Sequence, residues 1–265
     1  MTALEELLHT YREAAQSERE KGTYFEELIR TYFRYEATYA DYYSDVWLYS
    51  DWAEEQGIDK RDTGIDLVAK TRGTNEYHAI QCKFYAEDYK VQKKDIDSFF
   101  TASGQKPFTH RIIITTTNNW SEHAEDSLIN QQPPVNKIDL HDLENSQIDW
   151  AKYQADKAPV LKEKKTLFPH QKIALNNVVH GLETADRGKL LMACGTGKTF
   201  TSLKIAEELA GKGKRILFLV PSLSLLSQTL TEWTQESSTP LHSFAVCSDS
   251  EVGKKRKKDD DSVQT

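Results

Sequence analysis

The strongest constraint on how this chain folds is a six-residue stretch, Cys194-Gly-Thr-Gly-Lys-Thr199, set between an apolar run at 190–194 and an amphipathic run at 198–210. A strand that passes through a glycine turn straight into a helix leaves several backbone N–H groups pointing into one hollow, and the helix N-terminus adds its positive dipole end. Such a hollow suits phosphate oxygens. Gly195, Thr196 and Gly197 would form its wall, and Lys198 would reach the β and γ phosphates of ATP. The Thr199 hydroxyl would bind the Mg2+ that bridges them. The usual first glycine of the longer pattern falls on Met192, so this is the shortened form. A plain glycine turn capping a helix is the competing reading. The surrounding pattern alternates: helix 171–182, strand 189–193, helix 198–210, strand 215–220, helix 223–234 and a third strand at 241–247, the order of a parallel α/β sheet.

The first half is organised differently. Leu4, Leu7, Leu8 and Tyr11, then Tyr24, Phe25, Leu28, Ile29, Tyr32 and Phe33, recur at helical spacing. Strands are expected at 46–49, 64–71 and 77–85, with a polar loop over 54–63, a turn at Arg72-Gly-Thr-Asn75, a helix over 93–103 and a buried β-branched strand at 111–117. A helix at 121–131 and a short strand at 138–140 complete the unit. If Thr71 pairs with Glu76 across the turn, antiparallel register sets 66 opposite 81 and 64 opposite 83. Gln81 and Lys83, two apart on a strand, share a face with Asp66, and Gly64 leaves room beside the lysine. A carboxylate with an amide or backbone oxygen can hold a hard Mg2+, and a neighbouring ammonium can orient water and offset developing charge on a phosphodiester. Asp66, Gln81 and Lys83 are therefore the candidate catalytic set, with Asp66 and Gln81 on the metal; Glu26, on the second helix, could add a carboxylate, and Asp62 is a lesser alternative. An exposed hairpin with a solvated lysine is the plainer account. His78 and His110 lack ligand spacing and read as surface or core residues, while Tyr35, Tyr39, Tyr42 and Tyr43 read as an aromatic packing face.

At 265 residues, with 38% hydrophobic and 28% charged residues, the chain suits about two folded domains. Its longest strongly apolar runs, 190–194 and 216–220, are five residues each, against about 20 for a membrane helix. Glu5 and Glu6 stand where a signal peptide would carry positive charge, so a cytoplasmic protein with no membrane partner is expected. Cys82, Cys194 and Cys247 have no metal or disulfide spacing and read as small buried residues. Residues 1–150 hold 16 Lys and Arg against 28 Asp and Glu, a net −12, while the remainder is +5. A broad basic footprint for nucleic acid is thus missing from the first half, and affinity for DNA would have to come from elsewhere. The run at 254–261, KKRKKDDD, reads as a solvated loop.

Phe168-Pro-His-Gln171, Met192 to Thr199 and Phe218-Leu-Val-Pro-Ser222 together resemble the superfamily-two DNA helicases and translocases. The resemblance implies that Gln171 reads the adenine edge, a task suited to an amide's paired donor and acceptor, and that 220–222 touch the DNA backbone. No acidic pair of the Asp-Glu-x-His kind follows Thr199, so the chain is expected to bind ATP weakly without turning it over, and to be the N-terminal part of a longer protein. Asp66 with Gln81-x-Lys83 resembles the PD-(D/E)xK nucleases of the Mrr type, in which QxK replaces ExK and a helix glutamate such as Glu26 often assists. The joint resemblance is to type ISP restriction enzymes, ordered nuclease, motor, methyltransferase, target recognition. It implies an α/β fold: a restriction-endonuclease-like α-β-β-β-α-β domain over 1–148, a linker at 149–165, and a truncated RecA-like parallel α/β domain over 166–265. It also implies Mg2+ and ATP as cofactors, double-stranded DNA as partner, and downstream motor, methyltransferase and target-recognition domains. A helicase-family protein whose nuclease-like domain only binds DNA or a partner is the first rival reading. The second is a P-loop kinase or transport ATPase with an unrelated leader.

Overall fold

The computed structural model describes residues 1–60 and 64–247. Two units divide the chain, 1–162 and 163–265. Two helices open the first. Thr2 and Glu5 form a reciprocal capping box at the start of α1 (Ala3–Ala14), and Ser17 caps α2 (Glu18–Tyr35). Helix α2 buries Phe25, Leu28, Ile29, Tyr32 and Phe33 as one stripe.

A short helix, α3 (Ala37–Tyr42), leads into β1 (Tyr43–Leu48), and α4 (Tyr49–Gln56) follows at once, closed by left-handed Gly57. Then come β2 (Leu67–Thr71), β3 (Tyr77–Lys83), α5 (Asp97–Ser103), β4 (Phe108–Thr115), α6 (Glu122–Asp126), β5 (Val135–Ile138) and α7 (Leu140–Glu144). The five strands lie in the order β1-β2-β3-β4-β5; the first three are antiparallel neighbours, while β3, β4 and β5 run parallel. Side chains alternate faces with period two. Leu67, Ala69, Ile80, Ile112 and Ile114 pack under α1 and α2; Val68, Ala79 and Ile113 pack on the other face with Trp52, Phe99 and Ala124 from α4, α5 and α6. Strand β4 is covered on both faces, which is why it reads as an unbroken β-branched run.

Several expected bounds shift. The strand expected at 46–49 starts at Tyr43 and ends before Tyr49, where α4 begins; that helix, anchored by buried Trp52 and Ala53, takes in the first residues of the expected loop. The last strand is 135–138 rather than 138–140. Residues 149–162 fold back on the first unit: Trp150 and Tyr153 are buried, Asp149 N–H donates to the Val160 carbonyl at 2.8 Å, and Lys162 N–H donates to that of Gln147 at 2.7 Å. Tyr39 and Tyr43 pack in the core, whereas Tyr35 and Tyr42 are exposed.

The second unit contains α8 (Pro169–Leu182), α9 (Lys198–Ala210) and α10 (Leu223–Glu236). Phe200, Leu203 and Trp233 form its small core. The expected strand segments 189–193, 215–220 and 241–247 are connections outside any helix or strand, with no ladder among the described residues, and Leu191, Leu217, Leu219 and Phe244 are exposed. A parallel strand satisfies its backbone only through neighbouring strands, and here these segments have none. Cys194 and Cys247 are exposed and Cys82 half-buried, so the reading of all three as buried does not hold. Asp62 and 254–261 lie outside the described residues.

Candidate functional site

The hairpin of β2 and β3 has the register that the Arg72–Asn75 turn predicts. Leu67 faces Ile80, Val68 faces Ala79 and Lys70 faces Tyr77, while Thr71 N–H closes the turn on the Glu76 carbonyl at 2.9 Å. Beyond Leu67 the regular ladder gives way. Asp66 N–H donates to the Ile80 carbonyl at 2.9 Å and its carbonyl accepts from Tyr49 N–H at 2.8 Å. Its carboxylate Oδ2 then accepts the Cys82 N–H at 2.7 Å, so a side chain fills a backbone acceptor's place where the strands diverge.

Gln81 is 1% exposed, between β2 and β4. Its Nε2 donates to the Gly64 carbonyl at 2.9 Å, which orients the amide; its Oε1 is buried and has no hydrogen-bond partner. A buried carbonyl oxygen without a partner forfeits about 1–3 kcal/mol of lost solvation, so its retention calls for an electropositive partner. Lys83 ends β3 beside Thr115 of β4. Gly64 lies against the Gln81 amide: a Cβ on it would stand 3.7 Å from Gln81 Nε2. The first neighbour such a Cβ would meet is Ser98 Oγ on α5, at 3.2 Å.

Glu26 belongs to the same neighbourhood. Burial first, then the carboxylates of Asp66 and Glu26, push the Cys82 thiol up, while Lys83 acts in the opposite sense. One thiol therefore senses all three charged candidates. Among the described residues no three His, Cys, Asp or Glu side chains are grouped to share a metal ion. The candidate ligands instead combine the Asp66 carboxylate with the amide oxygen of Gln81, a donor set of hard oxygens that fits Mg2+. The backbone N–H of Cys82 and the Ser98 side chain are the neighbours that sequence reading missed. The first carries no side-chain signal, and the second lies 34 positions from Gly64 on another element. His78 is buried, its Nδ1 2.9 Å from the Tyr43 hydroxyl and its ring 4.9 Å from that of His110, which makes it a core residue.

In the second unit the glycine turn is formed. Gly195 and Gly197 both have φ +75°, and Gly197 caps α9, whose first residue is Lys198. Gln171 is buried against the turn: Nε2 donates to the Thr196 carbonyl at 3.1 Å, while Oε1 accepts Phe168 N–H at 2.9 Å. A Cβ on Gly197 would stand 2.4 Å from Gln171 Nε2, so only glycine admits this approach. Lys198 Nζ donates to the Ala193 carbonyl at 3.0 Å, and the Thr199 carbonyl accepts from Trp233 Nε1 at 3.1 Å.

A family model described as "Restriction endonuclease" matches residues 34–160, and one described as "Type III restriction enzyme, res subunit" matches 164–264. The solved structure of LlaBIII, an ATP-dependent type ISP restriction-modification enzyme bound to DNA, is 37% identical with a TM-score of 0.69, covering 83% of this chain and 14% of that one. The chain joins an Mrr-type restriction endonuclease domain to a type III res-subunit region. This restriction endonuclease domain holds Asp66, Gln81, Lys83 and Glu26, and the res-subunit region holds the glycine turn. MspJI restriction endonuclease, solved with a 27-mer oligonucleotide, matches at 15% identity and a TM-score of 0.26 over 49% of this chain and 33% of that one. Comparison with curated proteins yields no match. No helix of the described residues is long and apolar enough to cross a membrane.

Proposed function

We propose that residues 1–162 are a Mg2+-dependent DNA endonuclease module of a restriction system, and that the res-subunit region binds ATP as part of a motor. The observation that carries the nuclease reading is the buried, unpartnered Gln81 Oε1, on the strand whose next residue, Cys82, donates its N–H to the Asp66 carboxylate. In this reading Asp66 and Gln81 hold the ion. Bound Mg2+ supplies Lewis acidity to a phosphodiester and acidifies a water. The Lys83 ammonium orients the attacking water and offsets charge developing on the phosphate oxygens, and Glu26 supplies a further carboxylate to that side. The Cys82 N–H holds Asp66 in its rotamer. Gly195, Thr196, Gly197 and Lys198 would hold nucleotide phosphates, the Thr199 hydroxyl would hold the accompanying Mg2+, and Gln171 would meet the base.

The substrate would be double-stranded DNA. The −12 balance of residues 1–150 fits a module that cuts DNA held by other parts of a type ISP-like enzyme, with motor, methyltransferase and target-recognition domains supplying affinity and address. The test is nicking of supercoiled plasmid with and without Mg2+ by the full chain and its Lys83→Ala variant. A loss of about 100-fold or more is expected, the scale for removing one charge-stabilising donor. Equal nicking by both would show that Lys83 does no chemistry, and no Mg2+-dependent nicking by either would favour a domain that only binds DNA or a partner.

A further inference from the structure

We propose that Gly64 is the positioning residue that commits the candidate metal site to a glutamine at position 81, an inference that rests on the nuclease reading. A glutamine amide has two chemically different ends. The Gly64 carbonyl accepts from Nε2 at 2.9 Å, and because a carbonyl can only accept, this contact decides which end of the buried amide faces which way. The oxygen is thereby the end left without a partner, the end a cation would have to meet.

Gly64 can do this only as glycine. Its φ is +82°, in the left-handed region, and an added Cβ would stand 3.2 Å from Ser98 Oγ and 3.5 Å from the Phe99 nitrogen of α5. Moving Gly64 away from α5 would move the carbonyl that orients Gln81. The same contact bears on glutamate, the more usual neighbour of an x-Lys pair. A carboxylate at 81 would bring a second acceptor against the Gly64 carbonyl, where the amide now brings a donor. The added charge would favour a cation, but the side chain would lose the contact that aims it. Glycine 64 and glutamine 81 thus form a matched pair.

The experiment is direct titration of the nucleotide-free full chain with Mn2+, at fixed pH, following free Mn2+ by electron paramagnetic resonance. Chains compared are wild type, Asp66→Ala, Gly64→Ala and Gln81→Glu, with folding of each monitored by circular dichroism. Binding lost in Asp66→Ala and weakened about 10- to 100-fold in Gly64→Ala, the range for disturbing a residue that orients a ligand, supports the pairing. Gln81→Glu is expected to bind Mn2+ no more tightly than wild type despite its extra charge; tighter binding would overturn the role of Gly64 while leaving the metal site standing. Mn2+ binding unaffected by Asp66→Ala would overturn the metal-site reading itself. If Gly64→Ala fails to fold, Gln81→Glu decides the matter alone.

Discussion

Lowering the pH should destabilise the nuclease domain through one buried imidazole. His78 is 4% exposed, in contact with the Tyr43 hydroxyl and with the rings of Tyr42 and His110. Burial, reinforced by His110, pushes it from its usual value down to about 3. In the unfolded chain it titrates near 6.5. Between those values the unfolded state binds a proton that the folded state refuses, so stability is complete above about pH 6.5 and drains away as pH falls toward 3. At pH 5 the penalty is about 2 kcal/mol for His78 alone, from the 1.5 units separating pH 5 from the unfolded value. His110, also lowered by burial, acts in the same direction. The assay is urea unfolding at pH 7.5, 6.5, 5.5 and 5.0, followed by tryptophan fluorescence, since Trp47, Trp52, Trp120 and Trp150 all lie in this domain. His78→Gln retains a partner for Tyr43 but cannot titrate. Its stability should fall less steeply over the same range, the two curves separating by about 2 kcal/mol at pH 5. Parallel curves would refute the reasoning.

Arg111 is buried and donates to Ser103 Oγ, Gln131 Oε1 and the carbonyls of Pro133 and Phe100, so Arg111→Met should cost about 3 kcal/mol in urea unfolding as those acceptors lose their donors. Ile113, fully buried at the centre of β4, should cost about 2–5 kcal/mol as alanine by the same measurement. Gly197→Ala should abolish binding of a fluorescent ATP analogue in an anisotropy titration, because the new Cβ would collide with Gln171 and the residue would be held at φ +75°; retained affinity would show that the turn is not the phosphate seat.

Much of the hairpin was legible because its signals agree. Arg72–Asn75 is turn chemistry, the flanking runs alternate, and one pairing at Thr71 sets every other. What register could not give is the fate of the ladder past Leu67. Strand parity places Gly64 opposite Lys83, whereas the divergence of β2 hands its carbonyl to the Gln81 side chain. Helix α4 was hidden by its polar composition, since only Trp52 and Ala53 face inward. Residues 149–162 looked like a linker because Trp150 and Tyr153 are isolated among charged neighbours. In the res-subunit region the glycine turn was legible from six letters, while its flanking apolar runs form no strand among the described residues, for strand propensity acts through packing on neighbours.

The candidate acid, amide and ammonium all come from one contiguous stretch of twenty residues, Gly64 to Lys83, folded about a single tight turn. Bringing them together requires closing only a short loop, so most of the candidate site is assembled by local chain geometry before distant parts of the sheet need dock. The same economy makes it brittle: one extra residue inserted on either side of Arg72–Asn75 would exchange the two surfaces of a strand, turning Asp66 or the Gln81–Lys83 pair to the opposite face from its counterpart.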